Sequence, residues 1–454
     1  MTRDAVNAQV MASYPHTAMP LMRLVILHMI GGFATGVVGA GLALAAMAHS
    51  LGETRWMGPL HLGVFAGGIL LGAVGDASLR ARIEPRLAAM CAWGITAVGV
   101  ALPVLAGRAI VGATIVVATT MHTRLTVDCV PLEKRATMRW AQWVATVLGM
   151  VAALSLGTAL LSVSESGIAS GNVNIVMRGS GVAAALAAAV ALVGMPRSPR
   201  ALLMRGDVVA GVKALLDSGR ATRATCADEA IRILIGTDLV DLGHRRVVSA
   251  AGRRAMRVGY AIAAVLGFSG IATWALVGPL VLLHAGASSA ASAMFSLAGF
   301  ALAAIALIAY FAPQSPIAVT LHTDPERMVL HAGLANMMTL LLAALWAATG
   351  PADTLFIPLA AAEIISVVTS VGIMMPAGVV AIRQVVPSFR LRHARAILYS
   401  AHTLSVVVAA LLVAVGHVSV LLVAGLAGQA GALAWSAWEA RRRPDPDIVF
   451  ENGK

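Results

Sequence analysis

The chain has 454 residues, of which 59% are hydrophobic and only 12% charged, with a mean hydropathy of +0.85. This composition excludes a soluble globular protein and identifies an integral membrane protein. A formal net charge of +12 would suit a nucleic-acid partner, but the arginines gather in alternate loops between apolar runs; the charge therefore reports topology and attraction to anionic lipid, and nucleic acid is excluded.

Apolar runs bounded by charge or by Pro/Gly clusters predict twelve spans, at about 22–48, 56–77, 87–106, 109–130, 138–163, 176–195, 256–283, 289–312, 328–349, 355–382, 395–416 and 418–438. Each suffices to cross a hydrocarbon layer of ~30 Å. Runs of this length satisfy their backbone groups in lipid only as helices, so the predicted fold class is an all-α membrane protein. Residues 1–21 carry one arginine and no small-residue cleavage site ahead of a full-length first span, which reads as an uncleaved helix and not a signal peptide.

Arg80, Arg82 and Arg86 fall between spans 2 and 3, and Lys134, Arg135 and Arg139 between spans 4 and 5. Arg383, Arg390, Arg392 and Arg395 surround the turn between spans 10 and 11, and Arg441, Arg442 and Arg443 follow span 12. The opposite loops hold little beyond Arg55, Arg108 and Arg178. Both termini and the central loop are therefore expected on the cytoplasmic side. Three lysines against thirty arginines, with abundant Ala, Val and Gly, point to a GC-rich bacterial genome and hence to a bacterial inner membrane.

After span 6 the stretch "MPRSPRALLMRGD" (Met195 to Asp207) ends the apolar run with two prolines and three arginines. It opens the one long polar segment, 196–255, which divides the spans six and six. Within it, 208–217 and 226–243 have apolar residues at three-to-four spacing and predict short amphipathic helices on the membrane face, with Asp207 and Asp228 as N-caps. The expected domains are a six-helix bundle over 1–195, the linker 196–255, a second six-helix bundle over 256–438 and a tail, 439–454. Cys91, Cys129 and Cys226 have neither disulfide nor metal-ligand spacing, so no metal and no cofactor are expected. No phosphate loop or nucleophile elbow is present, and the chain is not expected to be an enzyme.

Several motifs give the chain a family likeness. Pro196, Ser198, Pro199, Arg200, Leu202, Gly206 and Leu215 stand where a Pro-Glu-Ser-Pro-Arg signature and its following helix would have them, with Arg197 for the Glu. Gly107, Arg108, Gly112, Asp128, Pro131 and Arg135 keep the spacing of a Gly-Arg opening, a Glu-x-x-Pro and a closing Arg, with Asp for Glu; Gly149 follows in span 5. The triplets 35–37 (TGV), 269–271 (SGI) and 284–286 (HAG) fit patterns of spans 1 and 7. On these residues the chain resembles the major facilitator superfamily, and within it the sugar porters. The resemblance implies two six-helix bundles, with short cytoplasmic helices in the central loop, that rock about a midplane site.

It also implies a breakable cytoplasmic network of charges, here Asp76, Arg80, Asp128, Arg135, Arg200 and Arg327. Ala77 and Leu79 depart from the loop motif, Gln384 replaces a Glu, and Pro325-Glu326-Arg327 replaces Gly-Arg-Arg. The alternative reading is that these charges only mark topology. The family's sugar-binding side chains are mostly replaced: Leu266 and Gly267 take paired Gln positions, Ala272 an Asn, Leu276 and Val277 paired Tyr, and Val379 a Trp. A hydroxyl-binding site without its donors and acceptors disfavours ordinary hexoses. The remaining substrate candidates are Gln142, Trp143, Ser269, Thr273 and Trp274, a set suited to a partly apolar small molecule. Trp140, near a span end, is expected in the interfacial belt.

The coupling carboxylate of the family's symporters is replaced by Ala34. Glu363 is the one acid well inside a span, which makes it the proton-coupling candidate, with His402 and His122 as relay partners. Against this, Glu363 lies about two turns from the expected outer end and would also reach the headgroups, and both histidines also read as packed neutral residues. The expected function is alternating-access transport of a small organic solute by a monomer in the bilayer. A drug or metabolite exporter of the same superfamily and a transport-inactive sensor or scaffold are the alternatives.

Overall fold

The structure, a computed structural model, describes residues 21–52, 56–79, 83–131, 134–165, 171–243, 250–268, 276–309, 324–349, 356–386, 391–415, 427 and 429–434. Among the described residues every regular element is helical. Nine helical segments there are long and apolar enough to cross a membrane, and two shorter apolar helices, Pro85–Ala101 and Ala255–Phe268, accompany them. The expected twelfth span lies mostly outside the described residues, of which 429–434 are helical.

The first half is built from α1 (Leu21–Gly52), α2 (Met57–Leu79), α3 (Pro85–Ala101), α4 (Leu105–Cys129), α5 (Arg135–Glu165) and α6 (Gly171–Val193). Glu84 caps α3 by accepting from Leu87 N at 2.9 Å, with Pro85 at the first helical position, where its missing N–H costs nothing. α1 packs on α5 and α6, and α4 on α2 and α3. Small residues make these seams close. A Cβ added at Gly149 would run into Phe33 O, and one at Gly112 would fall 2.9 Å from Ile69 N, so backbone meets backbone at both positions.

The linker forms α7 (Pro199–Met204), α8 (Val208–Asp217) and α9 (Cys226–Gly243). Ser198 caps α7 through Ala201 N at 3.1 Å, and Asp207 caps α8 through Ala210 N at 3.1 Å after Gly206 turns the chain at φ 80°. Asp228 does not cap α9 as expected; it lies inside the first turn with Glu229, where negative charge still suits the helix start. The apolar faces close on one another: Leu203, Val212, Leu215, Leu216, Cys226 and Ala230 form a small core separate from that of the spans. Val209, Ile231 and Ile235 stay exposed. The amphipathic pattern thus serves first to fold the linker.

The second half comprises α10 (Ala250–Phe268), α11 (Gly278–His284), α12 (Ser289–Ala309), α13 (Pro325–Thr349), α14 (Phe356–Val367), a π-helical segment Val368–Met374, α15 (Met375–Val385) and α16 (Leu391–Val415). The expected tenth span is one run, 356–385, but its middle widens into π geometry, with Met375 N–H bonding to Ser370 O five residues back. The halves meet where α5 packs on α12 and α2 on α16, with α11 touching α1.

Candidate functional site

Three groups of polar residues sit within the helices, and their placement separates the expected site residues. In the second half, Glu363 on α14 is 0% exposed. Ser296 Oγ on α12 donates to Glu363 Oε1, whereas Oε2 has no hydrogen-bond partner among the described residues. α11 approaches the carboxyl with bare backbone, since a Cβ at Gly278 would stand 2.5 Å from Oε1. Glu363 therefore lies inside the bundle where α11, α12 and α14 converge. Its carboxyl faces the packed interior and not the protein surface.

One turn beyond Glu363 the π segment begins. A π turn leaves carbonyls without their usual i+4 partners, a geometry common at functional sites. Val371 O in this segment accepts from Trp143 Nε1 on α5 at 3.3 Å, a hydrogen bond between the two halves. A second such bond runs from Thr403 Oγ1 on α16 to Ala66 O on α2 at 3.1 Å.

Below the Trp143 contact a cavity of about 340 Å³ opens between α5 and α15. Trp140, Trp143, Met375, Pro376, Val379 and Val380 form its apolar walls, and Arg139, Arg383 and Gln384 complete the lining. Trp143, a substrate candidate in the sequence, lines this cavity. Trp140, expected in the interfacial belt, shares that wall. Val379, at the position of the family's Trp, leaves the wall small and apolar.

The first half presents hydroxyls. Thr35 on α1 and Thr119 on α4 share a hydrogen bond of 3.0 Å, and Thr123 donates to Gln142 Oε1 at 2.5 Å. Gln142 is buried and Thr35, Thr119 and Thr123 are half-buried. These threonines did not stand out in the sequence, although Thr119 and Thr123 are spaced to share one face of α4.

His122 is fully buried beside His28, with ring centroids 5.6 Å apart, and His28 Nδ1 shares a 3.0 Å hydrogen bond with Thr126 Oγ1. His402 is half-buried on α16. Among the described residues no hydrogen bond or ring contact joins Glu363, His122 and His402. The structure does not bring the expected relay together. Ser269, Thr273 and Trp274 lie outside the described residues, as does Arg80.

The charges expected in the gate take separate roles. Asp76 accepts from Thr120 Oγ1 at 2.7 Å, between α2 and α4. Asp128 Oδ2 accepts from Ser198 Oγ at 2.7 Å, and its carbonyl from Arg220 Nη1 at 2.6 Å; Arg220 also pairs with Glu229 at 2.7 Å. Burial and the cations of Arg220 and Arg200 lower the Arg135 pKa from the ordinary guanidinium value, opposed by Asp128 and Glu229. Asp128 thus ties the linker to the first half through Ser198 and through Arg220, which the sequence did not single out, with Arg135 and Arg200 close enough for their charges to interact. Arg327 pairs at 2.9 Å with Asp324 at the start of its own helix.

Two bundles joined by a helical linker and meeting along α2–α16 and α5–α12 make up the major facilitator fold. The chain aligns over 94% of its length with 98% of the xylose transporter XylE from E. coli in a partially occluded inward-open conformation, at TM-score 0.71 and 14% identity. A proton:xylose symporter XylE bound to 6-bromo-6-deoxy-D-glucose aligns at TM-score 0.68 and 15% identity, over 93% of this chain and 96% of that one. A POT family transporter in complex with a thioalcohol-conjugated peptide aligns at TM-score 0.58 and 12% identity, over 91% and 96%. No family model and no curated protein matches the chain in sequence.

Proposed function

We propose that the chain is a secondary carrier that moves a small, partly apolar organic solute across a bacterial inner membrane by alternating access, with both termini cytoplasmic. The fold carries the class, since its structural neighbours are transporters of sugars and peptides. The single observation that carries the coupling is Glu363, a buried carboxyl with one partnerless oxygen at the meeting of three helices. A carboxyl held there changes charge only by opening a path for a proton. The adjoining π segment then links its state to the Trp143 contact between the halves. The apolar cavity under Trp143 and the loss of the family's sugar-binding side chains argue against an ordinary hexose.

Reconstitution in liposomes, with counterflow against a metabolite panel with and without a pH gradient, tests this reading. The expected result is exchange of a solute that also stabilises the protein thermally. Stabilising solutes that never cross would overturn the carrier. Accumulation driven by the pH gradient and unchanged by Glu363→Gln would remove Glu363 from the coupling.

A further inference from the structure

Away from the linker, the first half holds a buried cation that the transport reading does not use. Arg108 stands in the first turn of α4 and is 2% exposed. Its Nε donates to His61 Nδ1 on α2 at 3.2 Å. Nη1 and Nη2 are both buried and have no hydrogen-bond partner among the described residues. Arg108 lines a small space between α1, α3, α4 and α6, shared with Val38, Gly41, Val100, Met177 and Arg178. No carboxylate lines this space among the described residues. The polar side chains in its lining are two guanidinium groups, and Arg108 stands in the first turn of a 25-residue helix, whose N-terminal N–H groups carry partial positive charge.

A guanidinium enclosed in a membrane bundle without its hydrogen bonds satisfied is costly, and the remedy is an acceptor carrying negative charge. We propose that Arg108, with Arg178 beside it, holds one small monovalent anion inside the first half. The space of about 10 Å³ has room for one water-sized species, which suits a halide or the end of a short carboxylate and excludes a phosphate or an organic dianion. Both fitting ligands offer the same chemistry, a compact anion accepting from the two Nη groups. A halide would be a fixed part of the bundle, whereas a carboxylate would belong to the carried solute.

The test uses the full-length purified protein in detergent at constant ionic strength, with sodium isethionate replaced stepwise by sodium bromide. The expected result is a saturable rise of the unfolding midpoint, lost with Arg108→Gln and shifted to about tenfold higher bromide with Arg178→Gln. A rise that never saturates, or that is equal in wild type and Arg108→Gln, would overturn the site. If Arg108→Gln fails to fold, an unshifted titration in Arg178→Gln still overturns it. Formate and acetate then identify the source. Competition with bromide, together with Arg178-dependent exchange of the carboxylate across liposomes, assigns the site to a solute; halide binding without such exchange assigns it to an inorganic ion. The halide result stands or falls independently of whether the protein transports.

Discussion

The two halves differ in how regularly their helices run. In the first half, α1 to α6 are each a single uninterrupted helix, their seams are glycine-to-backbone contacts, and several polar side chains pair across them, Thr35 with Thr119, Thr123 with Gln142 and Asp76 with Thr120, although Arg108 and His122 keep buried nitrogens without hydrogen bonds among the described residues. In the second half, the helix of span 10 passes through a π segment, and the buried Glu363 beside it keeps one oxygen without a hydrogen-bond partner among the described residues. A seam in which backbone touches backbone has little freedom to slide, whereas a π turn holds carbonyls that can change partners. The comparison assigns the scaffold to the first half and the switching elements to the second.

The largest expected effect follows from the scaffold. Gly149→Leu drives a side chain into Phe33 O, where neither backbone can yield, and overpacking of this kind costs about 3 kcal/mol or more. Loss of a monodisperse peak on size-exclusion chromatography is the expected readout. A well-folded Gly149→Leu protein would remove the rigid seam from the comparison. Next comes the linker cluster. Arg220→Ala removes the donor to Asp128 O and the partner of Glu229, leaving partly buried acceptors at a cost of about 1–3 kcal/mol. The unfolding midpoint should fall while exchange of solute by the surviving protein persists, because the bonds from Arg220 to Asp128 and Glu229 run to the first half and within the linker.

Glu363→Gln should act the other way, preserving the fold and the Ser296 contact while abolishing accumulation driven by a pH gradient. Gln keeps shape and hydrogen-bonding capacity but holds no titratable proton, so a change in stability without a change in coupling would return Glu363 to a packing role. The pair Arg220→Ala and Glu363→Gln thus separates stability from transport along the same division between halves.

Much of the fold was legible because hydropathy and loop arginines act over whole spans, and a run of some twenty apolar residues has few structural options. The cap at Asp207 was equally local, read from a polar residue just before its helix, whereas Asp228 falls inside its helix and the Ser198 cap was not singled out in the sequence. The π segment was not legible. Its residues, VTSVGIM, read as ordinary apolar helix, and only Pro376 just beyond hints at a break. Nor does any local pattern pair Ser296 with Glu363 across 67 positions, or reveal that two buried nitrogens of Arg108 lack hydrogen bonds among the described residues. Those facts exist only once helices are packed. The amphipathic linker was half legible: periodicity showed that its helices have an apolar face, but not that the faces would close on one another.

The finest test of the comparison lies at the contact between the halves. Trp143→Phe keeps the ring in the cavity wall and deletes the 3.3 Å hydrogen bond to Val371 O. A neutral hydrogen bond of this kind is worth about 1 kcal/mol, enough to shift a two-state population about fivefold. A cysteine placed at Val379, in a background lacking Cys91, Cys129 and Cys226, should then react correspondingly faster with a membrane-permeant thiol reagent. Arg327→Ala supplies the control with the smallest effect. Its side chain is 76% exposed and its pairing with Asp324 is local to one helix start, and such exposed pairs are worth within about 0.5 kcal/mol. Labelling at Val379 and the unfolding midpoint should both stay unchanged. Faster labelling with Arg327→Ala would mean that a surface pair far from Trp143 governs the opening, and the switch would then have to extend beyond the π segment to the start of α13.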